Sequence, residues 1–331
     1  MQSPFKRSRL TNLAQHNNTY TLLSTIIFFV IFYICVPTAV ASRGDHASEF
    51  QECVEKCRQS SCSSNTLLPF ILRLFMWSCE DECKYECMHE IHSKALNSNQ
   101  EIVQYYGKWP FHRLWGMQEP ASVLFSFLNG YTHYRYLSII RRTIPDTYYM
   151  KKFYIGYAYA CINSWFWSAI YHSRDFPHTE KLDYFSAAFS ILFSFLFTSI
   201  RIFHIRSRRI IFVLATLCLL AFLAHISYLT FVTFDYGYNI VANGAVGFAH
   251  NFIWVWWSWK NWHSRPDAWR PFAAVIYVAI AMCLEIFDFP PVWGVLDAHA
   301  LWHASTIPLN GFWYEFLIGD ASIESLSVKR H

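Results

Sequence analysis

Charge is what this chain has least of. Asp, Glu, Lys and Arg make up 15% of its 331 residues, against 54% hydrophobic and 19% aromatic, a balance that argues against an ordinary soluble domain. The formal net charge of +4 is too small to point to nucleic acid. There is no glycine-rich phosphate loop and no long basic run with base-stacking aromatics, which removes the phosphate-cradling and nucleic-acid-binding classes. No period of about 20–50 residues marks a repeat protein. A membrane protein remains, in which the few charges matter by position.

The first 41 residues read as an export signal. Lys6, Arg7 and Arg9 precede an apolar run from about Leu22 to Val36, and Ala39-Val40-Ala41 forms a small-residue cleavage site. An uncleaved signal anchor is the alternative, and it leaves the following residues on the same luminal side. Six of the ten cysteines come next: Cys53, Cys57, Cys62, Cys79, Cys83 and Cys87. Spacings of four residues line thiols along one face of each of two short helices. In an oxidising compartment they read as three disulfides, since zinc sites usually show the tighter Cys-x-x-Cys spacing. Spacing does not choose the pairing. Residues 42–115 are therefore expected to form a small luminal cysteine-rich domain.

From 116 to 319 the chain breaks into seven apolar stretches, near 117–137, 153–173, 183–203, 209–232, 238–259, 269–287 and 294–318. Each approaches the roughly 20 residues a helix needs to cross a bilayer. Basic residues collect in alternate connections: Arg141, Arg142, Lys151 and Lys152, then Arg201, Arg206, Arg208 and Arg209, then Lys260, Arg265 and Arg270. Such loops stay in the cytosol. The connections near 233–237 and 288–293 carry no Lys or Arg, and the one near 174–182 balances Arg174 and Lys181 against Asp175 and Glu180; these are luminal. The tail, 320–331, with Lys329 and Arg330, is then cytosolic. The expected fold is an all-α membrane protein, a seven-transmembrane helix bundle with a small disulfide-rich luminal N-terminal domain.

That topology collects polar residues at the luminal face. Ser168 and His172 are four apart and share a face of the second helix, Asp183 opens the third, and "DAHALWHAS" puts His299 and His303 four apart near the start of the seventh. At a rise of about 1.5 Å per residue they sit roughly one or two turns below the surface. An Asp at the centre of a span costs about 2.5–3.5 kcal/mol, so such groups usually face the bundle interior and mark function. Three histidines are the ligand count of a catalytic zinc, which keeps a fourth position for water and makes its proton easier to remove. Asp183 then suits proton transfer or orientation of that water, and Ser168 suits hydrogen bonding to a developing oxyanion. Each has a duller reading taken singly: Ser168 bonding back to its own helix, Asp183 capping one, the histidine pair joining helices. Jointly they favour a metal site. His133, His225 and His250 lack partners at helical spacing and read as packing residues. Trp254, Trp256, Trp257 and Trp259 read as an interfacial belt, Asp175, His178 and Glu180 as solvated loop groups, and Asp288 and Asp297 as luminal groups near the site.

Ser168-x-x-x-His172, Asp183 eleven residues on, and His299-x-x-x-His303 resemble the pattern of the CREST superfamily of seven-span metal hydrolases, which includes alkaline ceramidases and adiponectin-type receptors. Within it, "KWPFHRLWGMQEPASVLFSFLN" (108–129), "HSRDFPHTEKLDYFSA" (172–187) and "LEIFDFPPVWGVLDAHALWHASTIPL" (284–309) look like the post-GPI attachment to proteins factor 3 family. The resemblance implies fatty-acid remodelling of glycosylphosphatidylinositol (GPI) anchors: removal of the unsaturated sn-2 acyl chain from the phosphatidylinositol of an anchored protein, a phospholipase A2-type ester hydrolysis. It implies His172, His299 and His303 as ligands of Zn2+, Ser168 and Asp183 as catalytic groups, GPI-anchored proteins and membrane lipids as partners, and a Golgi membrane, or alternatively an endoplasmic reticulum membrane, as location. The competing functions are an alkaline-ceramidase-like lipid amidase and a non-enzymatic receptor or GPI-protein chaperone. A cysteine-rich cap, which a ceramidase would not need, favours a protein-linked substrate.

Overall fold

Helix length and polarity divide the molecule into two regions. The computed structural model describes residues 42–62 and 67–328; the expected signal peptide, 1–41, and the end of the tail, 329–331, lie outside the described residues. The cap holds α1 (Ser48–Ser61), the short α2 (Phe70–Leu74) and α3 (Cys79–Asn97). Ser78 starts α3 with a capping box, its hydroxyl accepting from the Asp81 amide while the Asp81 carboxylate accepts from the Ser78 amide. The six cysteines pair as Cys53–Cys87, Cys57–Cys83 and Cys62–Cys79. This nested order follows from two antiparallel helices facing each other through cysteine stripes. Phe50, Cys87 and Tyr105 form the small apolar core, too little to hold a domain of this size without covalent help.

The bundle follows with α4 (Pro120–Thr143), α5 (Lys151–Ser173), α6 (Pro177–Ile202), α7 (Arg208–Phe231), α8 (Tyr236–Asn261), α9 (Trp269–Ile286) and α10 (Ala298–Val328). Helix α4 packs between α5 and α10, α6 packs on α5, α7 and α8, and α9 packs on α8 and α10. Its apolar core lies toward the end away from the cap, around Ile140, Met150, Tyr154, Ile200, Tyr314 and Leu317. By length and composition α6 and α7 are apolar enough to cross a membrane. Helix α7 turns Phe212, Leu217, Leu220 and Leu223 outward, an apolar surface that water would disfavour.

Three expectations change. Asp183 does not open the third bundle helix: α6 begins at Pro177, where a fixed φ suits the first turn, and Thr179 accepts from the Phe176 amide. The polar run 178–183 is therefore helical and puts Asp183 in the second turn. Trp254 and Trp257 are buried, not interfacial; Trp254 packs edge-on against Trp313 and Phe316 and donates its indole N–H to Thr198. Finally, α10 continues to Val328, so the first part of the expected tail is helix. Asp320 and Glu324 in that extension pair with Arg201 of α6 and with Arg265.

Candidate metal centre

Two local devices aim the histidines of α10. Asp297 accepts from the Ala300 amide at 2.8 Å, starting the helix so that His299 and His303 fall one turn apart in its first turns. Further along, Pro308 interrupts the helix, lacking an N–H and crowding the preceding turn. Asn129 of α4 bonds to the turn just ahead of it: its amide donates to the His303 carbonyl at 2.8 Å, and its own oxygen accepts from Thr306 and Asn310. Helix α10 is thereby pinned to α4 just behind His303.

His172 arrives from the last turn of α5. The segment leading into α4 lies beside it, with the Gln118 and Glu119 amides donating to the Ser173 and His172 carbonyls at 2.9 and 3.0 Å. Across the bundle, His172, His299 and His303 meet, one ring nitrogen of each lying within 4.8 Å of the others. His172 and His303 are buried and His299 is partly open.

Acceptors that lack a proton assign the tautomers. His172 Nδ1 donates to Glu119 Oε2 and His299 Nδ1 to Glu285 Oε2, both at 2.8 Å. His303 Nδ1 faces the Ser122 carbonyl at 3.4 Å and Ser126 Oγ at 3.0 Å. With Nδ1 engaged in each ring, the Nε2 atoms of His172 and His299 point toward each other at hydrogen-bond distance, 3.3 Å. A proton on one of them makes that contact a hydrogen bond, and a cation bound by both can take the proton's place. The donor set, three imidazoles braced through their far nitrogens with their near nitrogens converging, fits a zinc ion.

The remaining candidates fall around this cluster. Ser168 is buried, its hydroxyl bonded to Ser126 Oγ at 3.0 Å, on the Nδ1 side of His303. Asp183 lies near His299, but among the described residues no hydrogen bond joins its carboxylate to a site histidine. Asp288 accepts from Gln104 and Trp109 at 2.7 and 2.8 Å, tying the loop before α10 to the segment leaving the cap. His133, His225 and His250 bond to Tyr314, Asn239 and Thr198, away from the cluster. Glu119, Glu285, Lys108 and Ser126 were not expected at the site. Lys108 bridges Glu119 Oε1 and, at 3.3 Å, Asp175, which is thus no free loop group. Burial works against the Lys108 charge, yet the two carboxylates outweigh it and hold its pKa above the ordinary lysine value. No spacing rule flags these residues, because each lies on a different element from the histidine it serves.

Comparison with known proteins adds an independent finding. Residues 69–321 match the Per1-like family. A Xenopus laevis protein named GPI-specific phospholipase A2-like PGAP3 is 40% identical over 301 residues, covering 89% of this chain and 94% of that protein. The Homo sapiens protein of the same name is 38% identical over 291 residues, covering 86% and 90%. The Schizosaccharomyces pombe protein PER1 homolog is 38% identical over 310 residues, covering 89% and 94%.

Proposed function

The chain belongs to the Per1-like family, and from that premise we propose that it is a seven-span membrane hydrolase that remodels GPI anchors by releasing the sn-2 unsaturated acyl chain of their phosphatidylinositol. The relatives named GPI-specific phospholipase A2-like PGAP3 support the substrate class. The convergence of His172, His299 and His303 is the observation that carries the chemistry. In this reading the cap and the histidine end of the bundle face the lumen of the Golgi or endoplasmic reticulum, in keeping with the Lys and Arg of the alternate connections.

A zinc ion held by the three imidazoles would supply Lewis acidity and a water whose proton leaves readily near neutral pH. The chain's own residues do the rest. Asp183, near His299, accepts the proton that the attacking water loses and returns it to the departing glycerol oxygen. An oxyanion role for Ser168 needs its proton free, as it is when Ser126 donates in the bond between the two hydroxyls. Depth matters too. The ester of a phospholipid lies just below its headgroup, and His172 is the next-to-last residue of α5, within a turn of the helix end. The acyl chains stay in hydrocarbon while glycan and attached protein remain in water.

The test is lipid analysis of anchors. Cells lacking this protein are expected to carry GPI-anchored proteins that keep an unsaturated sn-2 chain, with remodelling restored by the intact sequence and not by His299→Ala. Identical anchor lipids with and without the protein, together with altered ceramide, would replace this reading by the ceramidase-like one.

A further inference from the structure

Around the histidines, two carboxylates, one buried and one half-buried, are each used at both oxygens. Glu119 gives Oε2 to His172 Nδ1 and Oε1 to Lys108. Glu285 gives Oε2 to His299 Nδ1 and Oε1 to the Tyr236 hydroxyl at 2.9 Å. In both, one oxygen fixes the carboxylate and the other holds an imidazole. Lys108 is itself caged, lying 3.3 Å from Asp175 and 4.2 Å from the centre of the Tyr171 ring. The braces come from outside the ligand-bearing helices: Glu119 from the segment before α4, Glu285 from the end of α9, Tyr236 from the start of α8 and Lys108 from the linker leaving the cap.

We infer that Glu119 and Glu285 are positioning residues that orient His172 and His299 for a metal ion, and that Lys108 and Tyr236 hold those carboxylates in place. The inference rests on the reading of the three histidines as metal ligands. A hydrogen bond from Nδ1 fixes the ring about its χ2 axis, selects the tautomer with a free Nε2 and makes that nitrogen a stronger donor. Both carboxylates stand behind the rings, so the Nε2 atoms of His172 and His299 are turned toward each other at 3.3 Å, and one ring nitrogen from each of the three histidines converges within 4.8 Å. The linker follows as part of the device. The His112 amide donates to the Gly294 carbonyl at 2.8 Å, and Gln104 and Trp109 hold Asp288. Residues 104–119 thus tie the loop ahead of the His299 helix to the carboxylate behind His172.

The experiment uses purified full-length protein in lipid nanodiscs, with zinc affinity read by competition against a chromophoric chelator and unfolding temperature as the control. Glu119→Gln and Glu285→Gln are expected to bind zinc about 10- to 100-fold more weakly than the wild type. Lys108→Met should give a smaller loss, recovered in Lys108→Arg. Should a Gln variant fail to fold, Tyr236→Phe keeps the question open, since it frees only the far oxygen of Glu285; its zinc affinity is expected to fall while the fold is retained. Affinities within about twofold of wild type in all folded variants would overturn the inference and leave the hydrolase reading standing. A wild-type protein without specific zinc binding overturns the metal reading itself, and the positioning roles with it. Neither readout depends on turnover.

Discussion

The bundle buries charge at both ends, and the two ends differ in what they leave unpaired. At the end away from the cap, Arg201 and Asp320 are fully buried and meet through two hydrogen bonds of 2.7 and 2.6 Å. Arg265 adds bonds to Asp320 and Glu324 at 2.9 and 3.2 Å and grips Asp267. Cations and anions there answer one another, and the network joins α6 to α10. At the cap end the carboxylates answer only the far side of each ring, and the near nitrogens converge on one another. Buried charge alone therefore does not single out a candidate site. Converging ligand atoms, held from behind, do.

Breaking the paired end should hurt folding most. Asp320→Ala removes the counterion of a buried guanidinium and is expected to destabilise the protein by about 3–5 kcal/mol, read as loss of folded protein in a thermal stability assay. Cys57→Ser opens the Cys57–Cys83 bridge and should cost about 2–4 kcal/mol in the cap while leaving the bundle's unfolding unchanged. Mass spectrometry of the native protein should find all six cap cysteines oxidised. Next comes Asn129→Ala, which removes the buried bonds from α4 to His303, Thr306 and Asn310 for about 1–3 kcal/mol and loosens a proposed ligand without touching it; zinc affinity and stability should fall together.

Substitutions inside the cluster sharpen the contrast from the other side. His303→Ala is expected to abolish zinc binding and turnover, at a stability cost of no more than about 1–2 kcal/mol. Asp183→Asn should keep zinc and fold alike and lose turnover alone, which separates proton transfer from metal binding. Full turnover in metal-free protein would refute the zinc assignment.

The smallest effect is one of pH, in the cap. Burial pushes His89 down to about 4, where its ring stacks on His112 and bonds the Phe111 carbonyl. A histidine held neutral in the fold costs nothing above its ordinary value of about 6.5 and costs progressively more below it, because the unfolded chain binds the proton first. The cap should therefore lose stability as pH falls from about 6.5 toward 4, and His89→Gln should flatten that slope in a pH series of melting temperatures.

Much of this was legible before any coordinates. The bundle helices fall close to the apolar stretches, since about 20 apolar residues have few other ways to satisfy their backbone. Elements failed where polarity misled: the stretch from Pro177 to Leu182 looked like a loop because it is charged, yet a proline in the first turn and a threonine that bonds back to the Phe176 amide start a helix there. Trp254 and Trp257 looked interfacial because tryptophan often is, but packing against Trp313 and Phe316 buries them.

What the sequence alone determined is whatever one helix can express. The four-residue steps from Ser168 to His172, from His299 to His303 and along the cysteine stripes each set side chains on one face, because the rise and turn of a helix are constant. Only the tertiary structure decided which cysteine meets which, that His172 faces His299 across two helices, and that Glu119, Lys108 and Glu285 stand behind the rings. Those distances run between elements far apart in the chain. They depend on how whole helix surfaces pack, which no local period encodes.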